Sequence, residues 1–405
     1  MSLFDFLRRP PSPRGYAALL LKKLAIHHPG EAVRFDEEGF RLLLGADGGH
    51  AINLHTLYAE YCAAGKPERA RQLERVLSLI ERSELPASFA DVRARLMPVL
   101  RGRGLAEYLR LMALDKDPQA ASAFLFRPFS SDTILTLMVD SEQSMQSFRS
   151  DQLAQWGVSS DEALAAAMDN LRDATVDRFI QVERGVFAGD WGDAYDSSRL
   201  LLPDLAHRIA GANPLAMVPA RGTLLLASGK DIEAVRAMVA LARRIADTET
   251  RPVSALMYRY ENGRAVAHVP DDASVRSGLE SLGRQYLFGD YAAQKETLDA
   301  LYEKSGTDVF VASYKVMRDP ARDIEYSMCS WTRGVDALLP RTDRVALVDL
   351  DGDQMQELII VSWDALQAAF GQLIQALPDA WPQRYRVTGF PDLERARAIA
   401  LPAQP

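Results

Sequence analysis

At 405 residues the chain is too long for one ordinary domain, and a prior of roughly two to three domains follows. Its 48% hydrophobic and 25% charged residues exclude wholesale disorder, and a chain of this size buries enough apolar surface to need no disulfide or metal staple. Lys and Arg number 47 against 55 Asp and Glu, a formal charge of -8, which leaves little general attraction to nucleic acid or anionic lipid.

In chain order, the first residues place Leu3, Phe4, Phe6 and Leu7 beside Arg8 and Arg9, ahead of Pro10, Pro11 and Pro13. One helical turn buries too little to anchor on a membrane, so a frayed terminus or a segment packed on its own protein is expected. Asp5 interrupts the apolar part and the positive charge follows it, the reverse of a secretory signal; a cytoplasmic setting is the expectation. The apolar run 17–21 ends at Lys22 and Lys23, and no transmembrane segment is expected. Residues 14–28 have helical periodicity, 33–44 read as a hairpin, and 45–49 form a glycine turn. Helices follow from His55, over 68–82 and over 88–100. Cys62 and Cys329 are far apart and form no Cys-x-x-Cys pair, so they are expected to be small buried hydrophobes in a reducing compartment.

The middle of the chain predicts strands at 134–139, 144–148, 178–187, 215–218 and 223–227. Ser159 with Glu162 is a capping box for a helix, and another helix covers 231–247. Asn262-Gly263 between two strand-like runs predicts a hairpin with a tight turn, because both residues tolerate positive φ. Residues 271–304 are helical, in two pieces broken near Gly289. Strands at 309–316, 324–331, 344–350 and 357–363 follow, then a helix at 364–377. Hairpins dominate over crossovers, so the expected class is α+β, multidomain, with mostly antiparallel or mixed sheets flanked by helices. The expected division is a helical N-terminal region with a small hairpin over 1–105, an α+β domain over 106–272, and a helical connector with a sheet-and-helix domain over 273–405.

The segments Gly185-Val-Phe-Ala, Asp196-Ser-Ser-Arg-Leu-Leu-Leu-Pro203, Leu215-Ala-Met-Val-Pro-Ala-Arg221-Gly-Thr-Leu-Leu-Leu-Ala227 and the Asn262-Gly263 hairpin give residues 134–271 their clearest likeness. This stretch resembles the YtpQ-like family, a bacterial family of unassigned function. The resemblance implies a bacterial, cytoplasmic setting and carries over no catalytic residue.

The histidines lack metal spacing. His27 and His28 are adjacent, His50 and His55 are five apart, and His207 and His268 stand alone. No Gly-x-Ser-x-Gly elbow occurs, and Ser197 and Ser198 are expected to cap a helix. Asp190, Asp193 and Asp196 fall in the loop before them, where exposed acids ordinarily only solvate. Arg101 and Arg103 sit beside flexible glycines in a basic stretch that includes Arg93, Arg95 and Arg110. Their guanidinium forks suit a phosphate or carboxylate, and the rival reading is a solvated connector. Asp349, Asp351, Asp353 and Glu357 alternate around a compact turn, an arrangement suited to calcium or magnesium; the rival reading is a plain hairpin turn. The pattern departs from the EF-hand and is similar to the calcium loops of β-propeller blades. No nucleophile–base pair or cofactor fingerprint can be assembled by spacing, so the expectation is a non-catalytic binding or regulatory module with a protein partner and no nucleic acid. The alternatives are a metal-dependent hydrolase using the acidic hairpin, and a peripheral membrane protein using Phe4, Phe6 and Leu7.

Overall fold

A computed structural model of the chain describes residues 10–27, 33–37, 40–44, 50–80, 88–116, 124–140, 145–147, 150–249, 251–319, 324–351 and 354–402. The N-terminal residues Phe4, Phe6 and Leu7 and the glycine turn 45–49 lie outside them. The fold is α+β, with antiparallel and mixed sheets flanked by helices. Among the described residues no helix is long and apolar enough to cross a membrane. The chain forms two compact units, residues 1–95 with 139–146, and residues 96–138 with 147–405.

In the first unit, helix Pro13–His27 and helices His55–Ala63 and Lys66–Ile80 enclose a core of Tyr16, Leu20, Leu24, Leu54, Leu73 and Leu77. Strands Val33–Asp36 and Arg41–Leu44 pair antiparallel as the predicted hairpin, and His50–Asn53 adds a third strand.

The second unit contains a six-stranded antiparallel sheet. Its order runs Arg264–Ala267, Met257–Glu261, Pro214–Met217, Leu225–Ser228, Val186–Gly189, Phe179–Glu183. Inward residues such as Val186, Met217 and Leu225 meet helix Ile232–Thr248 through Ala234, Met238 and Ala242. The first turns of helix Ala273–Ser305 join the same core through Val275, Leu279 and Leu282. Asn262 and Gly263 take φ of 49° and 73°, the positive values a tight hairpin turn requires. The capping box is also present: the Ser159 hydroxyl accepts from the Glu162 amide at 3.2 Å, and the Glu162 carboxylate accepts from the Ser159 amide at 3.4 Å.

Several expected elements differ; among them, the expected strand 309–316 divides into Phe310–Val311 and the start of Lys315–Asp319, in two different sheets. Residues 88–100 are not one helix: helix Phe89–Arg93 stops, and Leu96–Gly102 is a strand buried over nearly its whole length. Pro98 cannot supply the helical hydrogen bond, and its place at the edge of a sheet costs no ladder bond. Residues 178–187 split into a hairpin at the Arg184-Gly185 turn. Residues 364–377 end as a helix at Phe370 and continue as a 3-10 turn and a strand, Ile374–Ala376. Helix Ala273–Ser305 runs unbroken for 33 residues through Gly289. An interior glycine costs a helix only about 1 kcal/mol, less than packing on either side supplies.

The later part of this unit holds two further sheets. One orders Lys315–Asp319, Ile324–Thr332, Arg344–Asp351 and Gln354–Ser362; the other orders Phe310–Val311, Ala337–Pro340, Arg384–Val387 and Ile374–Ala376. Each contains one parallel pair. Trp331, Leu339, Val345, Val361, Leu366 and Phe370 are among the residues that fill the core between them and helix Trp363–Phe370. Cys329 is buried here and unbridged, and burial pushes its thiol up to about 12, the state of an inert hydrophobe.

Candidate anion-binding site

Arg101 lies near the end of the buried strand Leu96–Gly102 and is only 4% exposed. Backbone bonds draw two other arginines to it. The Leu100 amide donates to the Ser198 hydroxyl at 3.2 Å, tying the strand to the 3-10 helix Asp196–Leu201. From that helix the Ser197 amide donates to the Arg221 carbonyl at 3.2 Å, and the Arg221 amide donates to the Arg251 carbonyl at 3.3 Å. Three cationic residues from distant parts of the sequence thereby share one neighbourhood.

The electrostatics of Arg101 and Arg221 are set by burial and by neighbouring positive charge. Burial, then the charges of Arg221 and Arg251, press the Arg101 guanidinium down to about 9; the Tyr195 phenol acts the other way. Burial and the Arg251 charge press Arg221 down to about 10. Among the described residues, neither Arg101 nor Arg221 pairs with a carboxylate. Arg101 donates to the carbonyl of its own neighbour Leu100 at 2.9 Å and weakly to the Met138 sulfur at 3.9 Å. Among the described residues its buried Nε has no hydrogen-bond partner, and neither does the Nε of Arg221 or the fully buried Ser197 hydroxyl. A buried guanidinium left in this state is costly, because desolvation is not repaid.

The same unit shows how it treats a buried arginine with a structural task. Arg199, 0% exposed, holds Asp193 with two bonds of 2.9 and 2.6 Å, donates to the Thr175 hydroxyl and the Ala174 carbonyl, and lies over the Trp191 ring. Burial works to raise the Asp193 carboxyl, but Arg199 and the Tyr195 amide outweigh it and hold it below the usual range. Asp196 is itself buried, with one oxygen accepting from the Trp191 amide. The loop acids Asp193 and Asp196 therefore belong to packing, and Ser198 braces the strand Leu96–Gly102 rather than capping a helix.

Arg103 does not join Arg101. Its guanidinium sits 5.9 Å from the centroid of the Trp381 ring, and its amide donates to the Asp132 carbonyl. A carboxyl pair lies on this side. Asp132 accepts from Ser130, from Ser254 and from the Ala255 amide, and burial still raises its carboxyl. Asp290, on the long helix, places an oxygen where a side chain at Gly104 would stand, so a larger residue there would have to displace the Asp290 carboxyl. Burial first, then the Asp132 charge, push Asp290 up to about 7. A carboxyl raised in the fold binds its proton more tightly there than in the unfolded chain. Stability is then fully present below the ordinary carboxylate range and lost as pH rises from about 4 to about 7. In urea titrations, Asp290→Asn is expected to reduce the loss between pH 5 and pH 8 by on the order of 1–3 kcal/mol. An unchanged pH slope would show that Asp290 titrates normally.

The acidic hairpin has a different surrounding from the one its spacing implies. Asp349 and Glu357 face each other across strands Arg344–Asp351 and Gln354–Ser362, with a register shift just after Asp349. Arg333 pairs with Asp349 at 2.7 Å, and Arg397 grips both oxygens of Glu357 at 2.7 Å. Arg397 holds the Glu357 carboxyl below its usual range. The Asp351 backbone pairs with Gln354, and Asp353 lies outside the described residues. Among the described residues no three His, Cys, Asp or Glu side chains converge as metal ligands.

Arg221 and Arg251 had no signature of their own in the sequence. The only signal was an arginine set inside the apolar run 215–227. Comparison with known proteins adds no template: no family model, no curated protein and no solved structure matches this chain.

Proposed function

We propose that this protein is a non-catalytic binding or regulatory module whose ligand is a small anion held by Arg101, Arg221 and Arg251. The observation that carries the reading is the contrast among its own buried arginines. Arg199 is saturated with partners, whereas Arg101 keeps an unpaired Nε beside two further positive charges. A bound anion supplies the missing acceptors and cancels the mutual repulsion. The likeness to the YtpQ-like family supplies no chemistry, so the reading rests on these residues. The metal-dependent hydrolase alternative gains nothing here, because a cation at residues 349–357 would meet Arg333 and Arg397 already in place. The membrane alternative rests on Phe4, Phe6 and Leu7, outside the described residues.

The test is thermal melting of the full chain with phosphate, sulfate, citrate and nitrate at matched ionic strength. At least one of these is expected to raise the melting temperature in the wild type, and the rise should vanish in Arg101→Met and Arg221→Met. Equal responses in wild type and variants would remove the site from the reading.

A further inference from the structure

Among the described residues, the four-stranded sheet that runs from Lys315–Asp319 to Gln354–Ser362 has its helical cover on one face. Cys329, Trp331, Val345, Leu347, Ile359 and Val361 fill the core beneath helices Trp363–Phe370 and Leu393–Ala398. Side chains alternate along a strand, so the residues between these take the opposite face. There Ala346 stands beside Ile360 and Val348 beside Leu358. The register shift after Asp349 sets Leu350 beside Met355 on the same face. Leu350, Met355 and Leu358 are 41%, 62% and 47% exposed, and Met317 and Ile324 extend the exposed apolar surface across the other two strands.

A sheet with one wet face reads apolar and polar by turns. These strands do not. Val345-Ala-Leu-Val348 and Leu358-Ile-Ile-Val361 are each apolar at four successive positions. Strand Arg344–Asp351 also runs parallel to Ile324–Thr332, and parallel pairs belong mostly to sheets covered on both faces. The sequence is that of a doubly covered sheet. A contiguous exposed apolar surface on such a sheet marks a contact with another molecule.

Size and charge name the occupant. Four strands about 4.8 Å apart and about eight residues long make a face of roughly 19 by 27 Å. Two such faces pressed together remove about 1,000 Å² from water, the area at which a specific interface between chains begins. The charges suit a copy of the same face. Lys315 and Arg344 stand toward one end, Arg344 lying 3.7 Å from the centroid of the Tyr326 ring. The other end runs into the turn after Leu350, whose sequence carries Asp351 and Asp353. A two-fold axis through the middle sets the basic end of each copy against the acidic end of the other, and the apolar centre against itself. A lipid surface fits less well, because anionic headgroups repel the acidic end.

Independently of the anion site, we propose that two copies of the chain associate through this face, sheet against sheet about a two-fold axis, with Val348 and Leu358 near its centre. The experiment is sedimentation equilibrium of the full chain over a hundredfold range of concentration, at low and at high salt. The expected result is a reversible monomer–dimer equilibrium that weakens at least fivefold in high salt, where the charged ends are screened. Leu358→Glu buries an unpaired carboxylate at the apolar centre and should weaken the dimer at least a hundredfold, while the dilute protein still melts cooperatively. Met355→Glu, at a more exposed position, carries the same test should Leu358→Glu fail to fold. Lys315→Glu should weaken the dimer at least tenfold, and adding Asp351→Lys to it should recover most of that loss. A monomer at every concentration would overturn the proposal, and so would a dimer indifferent to both Leu358→Glu and Met355→Glu. Co-sedimentation of a monomeric chain with phosphatidylserine vesicles, lost in Met355→Glu, would overturn it in favour of a lipid surface.

Discussion

Replacing Arg101 with methionine is expected to stabilise the ligand-free protein, by about 1–3 kcal/mol in urea denaturation at neutral pH. Methionine follows the same unbranched path through the core and carries no charge to desolvate. The bonds lost are few: one to the adjacent Leu100 carbonyl and one weak contact to the Met138 sulfur. The sign follows from the direction of the shift. The folded guanidinium sits at about 9, below its ordinary value, so the unfolded chain holds its proton more tightly. The penalty stands in full at neutral pH and is relieved only as pH rises through about 9 and above. The variant gains stability where the wild type bears that penalty, and it loses its response to anions. This is the trade expected of a binding site kept charged for use at the expense of stability. A destabilised Arg101→Met would instead mark Arg101 as a structural brace.

Arg384→Met is expected to act in the opposite direction and by more, with a loss of about 3–5 kcal/mol. Arg384 is 0% exposed, like Arg199, and its donors are engaged. Nε donates to Gln294 at 2.8 Å, one terminal nitrogen to the Ala312 and Leu338 carbonyls, and the other to the Tyr291 carbonyl at 3.1 Å. Gln294 in turn donates to Glu107 and to the Pro382 carbonyl, and Glu107 holds Arg110 with two bonds. Removing the guanidinium takes a buried donor from the Gln294 side chain and from the Ala312, Leu338 and Tyr291 carbonyls at once. Burial presses Arg384 down to about 10, as it does Arg221, so a depressed guanidinium does not by itself distinguish the two roles. Partners do. Side-by-side denaturation curves of Arg101→Met and Arg384→Met should move to opposite sides of the wild type, and movement to the same side would end the distinction.

What could be read from the sequence was what is decided locally. Asn262-Gly263 and the Ser159–Glu162 box announce themselves because the residues that set the geometry are neighbours. Helix Ile232–Thr248 was legible for the same reason, with Asp231 accepting at its first turn. Residues 96–102 misled because a run buried on both faces has no period, and only Pro98 hinted that a helix could not continue. The arginine site was half legible. Arg101 stood out beside its glycines, but the pairing with Arg103 was an accident of adjacency. Its companions Arg221 and Arg251 arrive through backbone bonds between distant segments, which no spacing rule foresees. The acidic hairpin failed in a complementary way: ligand spacing was visible, while the arginines that answer Asp349 and Glu357 were not.

The unbroken helix Ala273–Ser305 has a mechanical consequence. At 33 residues and 1.5 Å per residue it is a rod about 50 Å long, stiff over its whole length. Near its middle, the Tyr286 hydroxyl donates to the Pro219 carbonyl at 2.5 Å, two residues from Arg221. A turn and a half further on, Tyr291 and Gln294 meet Arg384, and Leu298 closes a separate apolar cluster with Leu111, Val311 and Leu338. A hinge at Gly289 would have absorbed any displacement between those points. Without one, any displacement passed to the helix through Tyr286 would be carried along its whole length rather than absorbed at its middle.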